Sequence, residues 1–307
     1  MNLAVVVPTL NAGSLWHDWI NAIKSQSSEI SITLVIDSGS TDETVALSLE
    51  NGFKVHNIKK TEFDHGGTRQ MALSLIEFAD IVVFMTQDAI LSNPDSITEL
   101  ISCFSDPSIG AAYGRQLPRK NADPIEAHGR LFNYPSRSSV KSLQDRDKYG
   151  FNLIFISNSF AAYKVSALIG VGGFPLMAIF GEDTYVCAKL LTKGWKISYQ
   201  AKSEVFHSHG YNIIEEAKRY FDMGVFHSQQ QWIIKEFGEP RGQGIKFITS
   251  EIKYLLKNSP QHIPMSILRN ITKYFSYKLG RKEKYLPLTL KMKLSMNKSY
   301  WKNAHER

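Results

Sequence analysis

Only two cysteines occur in 307 residues, Cys103 and Cys187, each inside a pattern that reads as helix. Their scarcity excludes a disulfide-stapled scaffold, and no spacing suits structural zinc. Long apolar runs are missing as well. The longest, such as Ile81–Met85, fall far short of the ~20 residues a bilayer-spanning helix needs. The opening MNLAVVVPTLN has no basic leader and no cleavage-like segment, which argues against a signal peptide. A reducing, cytoplasmic setting is therefore expected. Two nucleotide signatures are also absent. No G-x-G-x-x-G follows the first apolar run, which excludes an ordinary dinucleotide dehydrogenase. No G-x-x-x-x-G-K-[ST] is present, which excludes a P-loop kinase or ATPase.

Acidic residues are scarce in one region. From Arg241 to Arg307 there are 15 Lys and Arg against 3 Asp and Glu, a balance of +12 in a chain whose total is +7. The first 240 residues therefore carry −5. Such asymmetry points to a basic tail that meets something anionic. Within it, PMSILRNITKYFSYKLG puts Ile267, Leu268, Ile271, Phe275 and Leu279 on one helical stripe. A basic amphipathic helix fits contact with an anionic membrane surface. The alternative is a helix packed on the body with its lysines solvated. No RNA-binding aromatic signature or recognition helix is present, so nucleic acid is not the expected partner.

What is present in the first half is alternation. Leu3–Val7, Ile32–Ile36, Lys54–Ile58, Ile81–Met85 and Ile109–Tyr113 read as strands. Between them lie helical patterns at Trp16–Ile23, Asp42–Leu49 (capped by Ser40 or Thr41), Thr68–Phe78 and after Asn93-Pro94. From Gln116 to Lys148 the pattern weakens, apart from a helix-like piece at Ile125–Phe132, and it resumes at Leu153–Ile156. The predicted fold is α/β, a mostly parallel doubly wound sheet flanked by helices with a C-terminal helical appendage. The expected division is residues 1–238 for the α/β domain and 239–307 for the basic tail. In such sheets ligands sit beyond the carboxyl ends of the strands. Polar loops cluster at those ends: PTLN, DSGSTD, FDHGGTR and TQDA.

DSGSTDET resembles the second-strand loop of family 2 glycosyltransferases of the GT-A type, and PTLN resembles their first-strand loop. HGGTR, AYGRQLPRKNADP, SNSFAAY and RYFDMGVFHSQQQW are similar to the bacterial O-antigen rhamnosyltransferase subgroup, so the likeness runs from about Leu3 to Trp232. It implies that Thr9, Asn11 and Asp37 hold the nucleoside, with Asp37 accepting from the base imide, a charge-assisted contact. A turn-forming Asp ahead of Ser-Gly is the plainer reading of Asp37. Arg69 and the glycine-flanked helix start would meet a diphosphate, and Arg219 could reach it too, a surface ion pair being its other reading. Thr86-Gln87-Asp88 stands where the family carries D-x-D, so one metal-facing carboxylate is replaced by threonine. Gln87 and Asp88 remain for the donor. Asp88 would hold a divalent metal, Mg2+ or Mn2+, with His207 as first choice of histidine and His209 as second.

GEDTYVCAKLLTKGW places Glu182 and Asp183 at the start of a helix, directly after a glycine. Acids in a first turn stabilise a helix by themselves. In the family this pair lies beside the acceptor. The resemblance makes Asp183 the general base of a single inverting displacement, with Glu182 orienting the acceptor or capping the helix. The implied donor is dTDP-rhamnose and the implied acceptor a polyprenyl-diphosphate-linked glycan at the inner membrane face. Processive synthases of the wider family carry Q-x-x-R-W where this chain has Ser228-Gln229-Gln230-Gln231-Trp232, so transfer of one sugar is expected. Two rivals stand beside this reading: another dTDP- or UDP-sugar on the same scaffold, and a sugar-nucleotide-binding protein without catalysis.

Overall fold

A computed structural model of the chain describes residues 1–208, 210–240 and 242–305. In chain order it runs β1 (Leu3–Thr9), α1 (Leu15–Lys24), β2 (Ile32–Asp37), α2 (Thr44–Glu50), β3 (Lys54–Asn57), α3 (His65–Leu75) and β4 (Ile81–Met85). There follow β5 (Ile90–Leu91), α4 (Ser96–Ile101), β6 (Ile109–Leu117), α5 (Pro124–Asn133), β7 (Ser139–Lys141), α6 (Arg146–Tyr149), β8 (Phe160–Lys164) and α7 (Val165–Gly170). The last part is α8 (Glu182–Thr192), β9 (Lys196–Phe206), α9 (Ile213–Gln229), α10 (Gln231–Phe237), α11 (Gln243–Asn258), α12 (Ile263–Gly280), α13 (Leu288–Leu294) and α14 (Lys298–His305).

One sheet joins all the strands in the order β3-β2-β1-β4-β8-β6-β9-β5, with β7 on β9. Its first four strands are parallel, as the alternation predicts. The apolar run of β1 is continuous because the strand is buried on both faces. Ala4 and Val6 belong to the core under α3 and α8, whereas Val5 and Val7 belong to the core under α1 and α4. Beyond β4 the sheet is mixed. β8 runs antiparallel to both neighbours, while β6 and β9 are parallel to each other.

Three local expectations shift. α2 begins at Thr44 without a side-chain cap, because Ser40 is drawn into bonds with Asp37 and Asn11, and Asp42 into bonds with Gly13 and Thr44. α3 begins three residues before Thr68, at His65, because the Asp64 side chain accepts from Gly67 N–H at 2.6 Å. Leu153–Ile156 is no strand. Gly150–Ile154 forms a 3-10 turn that buries Leu153 and Ile154, and the strand follows at Phe160.

The C-terminal helices pack on α9. Gly224 of α9 and Gly280 of α12 meet backbone to backbone. A Cβ at Gly224 would lie 2.3 Å from the Tyr277 carbonyl oxygen, and one at Gly280 would lie 2.1 Å from that of Phe221. In an exposed helix Gly→Ala gains about 1 kcal/mol. Here the clash wins, and Gly280→Ala is expected to cost about 1–3 kcal/mol in chemical denaturation. A stabilised Gly280→Ala would mean that the helices do not touch there. Among the described residues no helix is long and apolar enough to cross a membrane.

Candidate active site

β1 and β2 pair in register with Thr9 beside Asp37, so their loops lie side by side. Asp37 is buried. Its Oδ1 accepts from the hydroxyls of Thr9 (2.9 Å) and Ser40, and its Oδ2 from the N–H groups of Gly39 and Ser40 at 2.9 and 2.8 Å. Asn11, exposed and left-handed with φ 46°, accepts from Thr41 N–H at 2.8 Å and donates its own N–H to Ser40 Oγ. Gln87 grips Leu10 from the end of β4, accepting its N–H at 2.8 Å and donating to its carbonyl at 3.2 Å. Thr9, Asn11, Asp37 and Gln87 thus form one cross-linked wall. Their division of labour differs from the expectation. All four lone-pair positions of Asp37 are used, so a base N–H reaches it only where Ser40 Oγ gives way.

At the far side of this wall, Asp88 Oδ2 and His207 Nε2 lie 3.2 Å apart. His207 follows the last residue of β9 and is held by its N–H on the Leu117 carbonyl. Its Nδ1 lies 2.8 Å from Gln116 Oε1, an oxygen that also accepts from Arg130 Nη1. Arginine only donates, so the amide oxygen faces that way and His207 Nδ1 carries the proton. Nε2 is the ring nitrogen that faces Asp88. Arg119 donates to the Asp88 carbonyl at 2.6 Å. Thr86 Oγ1, in the place of the missing acid, is buried with no hydrogen-bond partner among the described residues. His209 lies outside the described residues.

The acid pair opens α8 as expected, after Gly181 at φ 70°. The two carboxylates have different settings. Glu182 is buried and forms an ion pair with Arg69 Nη1 at 3.0 Å, while Asn158 Nδ2 donates to it at 3.2 Å. Burial opposes its ionisation, but Arg69 beside it holds its carboxyl below the usual range. Arg69 is turned inward, bound to Glu182 and the His65 carbonyl, where the resemblance has it meeting a diphosphate. Glu182 is engaged in that pair and by Asn158, where the resemblance has it orienting an acceptor or capping the helix. The α3 N-terminus is itself engaged. Asp64 caps it and the Pro175 carbonyl covers Gly66, where a Cβ would lie 2.0 Å from that oxygen.

Asp183 is only half-buried. Its Oδ1 accepts from Thr184 N–H at 2.7 Å and its Oδ2 from Asn158 N–H at 3.3 Å. Burial, and then the negative charge of Glu182, push its carboxyl up to about 7. A carboxylate so tuned is suited to accept a proton near neutral pH. Arg219, on α9, lies with its guanidinium 5.0 Å from the Phe180 ring and 5.9 Å from Tyr211. It makes no ion pair with a described carboxylate.

Three consecutive residues draw these parts together. Ser157 Oγ accepts from Gln116 Nε2 at 3.0 Å, Asn158 touches both acids, and the Ser159 carbonyl accepts from Thr86 N–H at 3.4 Å. The D-x-D position, the histidine support and the acid pair therefore converge on one short loop before β8.

The family model described as "Glycosyltransferase like family 2" matches residues 1–221. The chain belongs to glycosyltransferase family 2. Over 304 residues the glycosyltransferase is 46% identical to the O-antigen chain rhamnosyltransferase RfbN of Salmonella typhimurium, covering 99% of this chain and 97% of the relative. It is 43% identical to the O-antigen chain rhamnosyltransferase WbaN of Salmonella anatum, covering 98% and 96%. Its fold is similar to that of the mannosyltransferase PcManGT of Pyrobaculum calidifontis, solved with GDP-Man and Mn2+. The TM-score is 0.54 at 17% identity, with 99% of this chain and 86% of that one covered. The S. aureus TarS 1-349 structure with UDP-GlcNAc gives 0.54 at 13%, with 92% and 91% covered.

The sequence alone left out several residues of the glycosyltransferase that the structure brings to the site. Gln116, Arg119 and Arg130 lie in or just after AYGRQLPRKNADP, and Asn158 in SNSFAAY. Both segments carry the resemblance, yet neither has a periodicity that marks a site. The one local signal is an Asn flanked by serines ahead of an apolar run. Asn158 also accepts from Tyr163 OH at 2.8 Å, which fixes its amide.

Proposed function

We propose that this glycosyltransferase moves rhamnose from dTDP-rhamnose to a hydroxyl of a polyprenyl-diphosphate-linked oligosaccharide, with inversion, at the cytoplasmic face of the membrane. The two O-antigen chain rhamnosyltransferases that match it nearly end to end support the sugar and the pathway class. The observation that carries the chemistry is the Ser157–Ser159 loop, which ties a carboxylate raised to about 7 to the Asp88–His207 pair.

The acceptor oxygen attacks the anomeric carbon as the carbon–oxygen bond to dTDP breaks. Asp183 takes the acceptor's hydroxyl proton. No glycosyl-enzyme forms, so one base suffices. Glu182 stays ionised against Arg69, and its charge keeps Asp183 basic enough to take that proton. Asn158 holds both carboxylates in place. Arg219, which makes no ion pair with a described carboxylate, would meet the departing diphosphate.

Asp88 and His207 fit a divalent metal. The two donor atoms, 3.2 Å apart, are an oxygen and a nitrogen that a divalent ion could take together. A bound Mg2+ or Mn2+ would supply positive charge against the leaving diphosphate. Among the described residues no group of three or more His, Cys, Asp or Glu is placed to hold a metal. Gln116→Leu removes the acceptor that fixes the His207 tautomer. It is expected to weaken Mn2+ binding in the presence of dTDP by about 10–100-fold, read by calorimetry.

A donor panel tests the reading. dTDP-rhamnose is expected to yield product where UDP- and GDP-sugars yield none. Product from a UDP-sugar with none from dTDP-rhamnose would replace the donor.

A further inference from the structure

α12 has two unlike sides. One packs on α9, through the Gly224–Gly280 contact and through Glu216, which pairs with Arg269 at 3.7 Å and Lys273 at 3.1 Å. At 100° per residue, Ile267, Leu268, Ile271, Phe275 and Leu279 share the opposite side. All are exposed, Ile271 by 50% and Phe275 by 65%. α11 repeats the arrangement. Its Phe247 ring packs against His128 and Phe132 of α5, whereas Ile245 (75% exposed), Ile248 and Leu256 face outward. The two helices are fastened together by the buried carboxylate of Glu251, which accepts from Ser266 Oγ and from Asn270 Nδ2 at 2.6 Å. Exposed apolar stripes on two helices so joined mark an interaction surface.

Its charge says what kind. Residues 242–285 hold two acids, Glu251 and Glu283. The first is buried and the second is paired with Lys291 at 2.6 Å. On the body side, Arg269 and Lys273 share Glu216, and Arg281 pairs with Glu239. Lys253, Lys257, Lys278 and Lys282 are exposed and make no ion pair among the described residues. The outward face is therefore apolar, with lysines and no exposed acid. A two-fold pairing of copies would set this patch against itself, lysine to lysine. An anionic bilayer meets both halves of the pattern.

We infer that the outward face of the α11–α12 hairpin is a lipid-docking surface that sinks its apolar side chains below the headgroups of an anionic membrane. This deepens the membrane reading given above and rests on it for the acceptor's location alone. The two contributions separate by ionic strength. The Debye length falls to about 3 Å at 1 M salt, so the lysine contribution fades and the apolar one persists.

The test uses the full chain, without donor or acceptor, floated with vesicles of phosphatidylethanolamine and phosphatidylglycerol and with vesicles of phosphatidylcholine alone. Binding is expected to the anionic vesicles, with weaker binding to the neutral ones. Ile271→Glu with Phe275→Glu is expected to lower partitioning by about tenfold or more at high salt, where the apolar loss alone counts, and further at low salt, where the two added carboxylates are repelled by anionic lipid. Lys278→Glu with Lys282→Glu is expected to lower it about fivefold per lysine at low salt and hardly at all at high salt. Truncating the tail is the poorer test, because it strips Leu255 and Trp301 from buried positions. Unchanged vesicle binding by Ile271→Glu/Phe275→Glu overturns the inference, as does a wild-type chain that stays with the unbound fraction. A wild-type dimer that Phe275→Glu splits into monomers overturns it in favour of a contact between copies. A chain that docks on vesicles but transfers no sugar upholds the docking surface and removes the transfer reading instead.

Discussion

Asp183→Asn is expected to lower sugar transfer by about 10²–10⁴-fold, the usual contribution of a positioned base, with sugar-nucleotide affinity left near that of the wild type. The two effects separate because, among the described residues, Asp183 bonds to Thr184 and Asn158 alone, away from the β1–β2 wall. In the wild type the base works as a carboxylate, so kcat/KM falls as pH drops through its pKa. With Asp183 raised to about 7, that limb sits near neutrality, whereas an unperturbed aspartate would place it near ~4. Single-turnover rates across pH, with nucleotide binding measured alongside, decide the matter. Near-normal turnover by the Asn variant, or an acid limb near ~4, would remove Asp183 from the base position.

Arg69→Met has the second large effect, and it acts on fold and chemistry together. Removing one partner of a buried ion pair leaves the other charge uncompensated and typically costs about 3–5 kcal/mol; Arg69 and Glu182 are 3% and 11% exposed. The same cation lowers the pKa of Asp183, while the Glu182 charge raises it. Glu182→Gln should therefore move the acid limb of kcat/KM to lower pH. A limb left in place by Glu182→Gln would show that Glu182 does not set the base. Urea denaturation supplies the stability half, with Arg69→Met expected to lose more than Glu182→Gln, whose amide still accepts from Arg69.

Much of this was legible in the chain. The both-faces-buried run Leu3–Val7, the polar loops at the strand ends and the glycine before Glu182 each follow from a local rule, and the structure has them in place. What the chain did not reveal is direction. Arg69 sits in a loop-to-helix segment that suits an anion, yet a partner 113 positions later, Glu182, takes it inward. Asp37 reads as a free acceptor until Ser40 and Thr9 are seen to fill its lone pairs. Gln116 and Asn158 were invisible for the same reason. Their value lies in who meets them across the sheet, and sequence spacing carries no trace of that. The reversal of β8 is likewise set by packing between β4 and β6, since a short apolar strand has the same pattern in either direction.

The Gly224–Gly280 crossing has a mechanical consequence. Two helices whose main chains touch have no side chains between them at the crossing, so sliding of α12 along α9 would drive backbone into backbone. Arg219 stands on another face of α9. With α12 on lipid as inferred, Arg219 would stand roughly one helix thickness, about 10 Å, from that contact, a clearance that would suit the proposed lipid-linked acceptor.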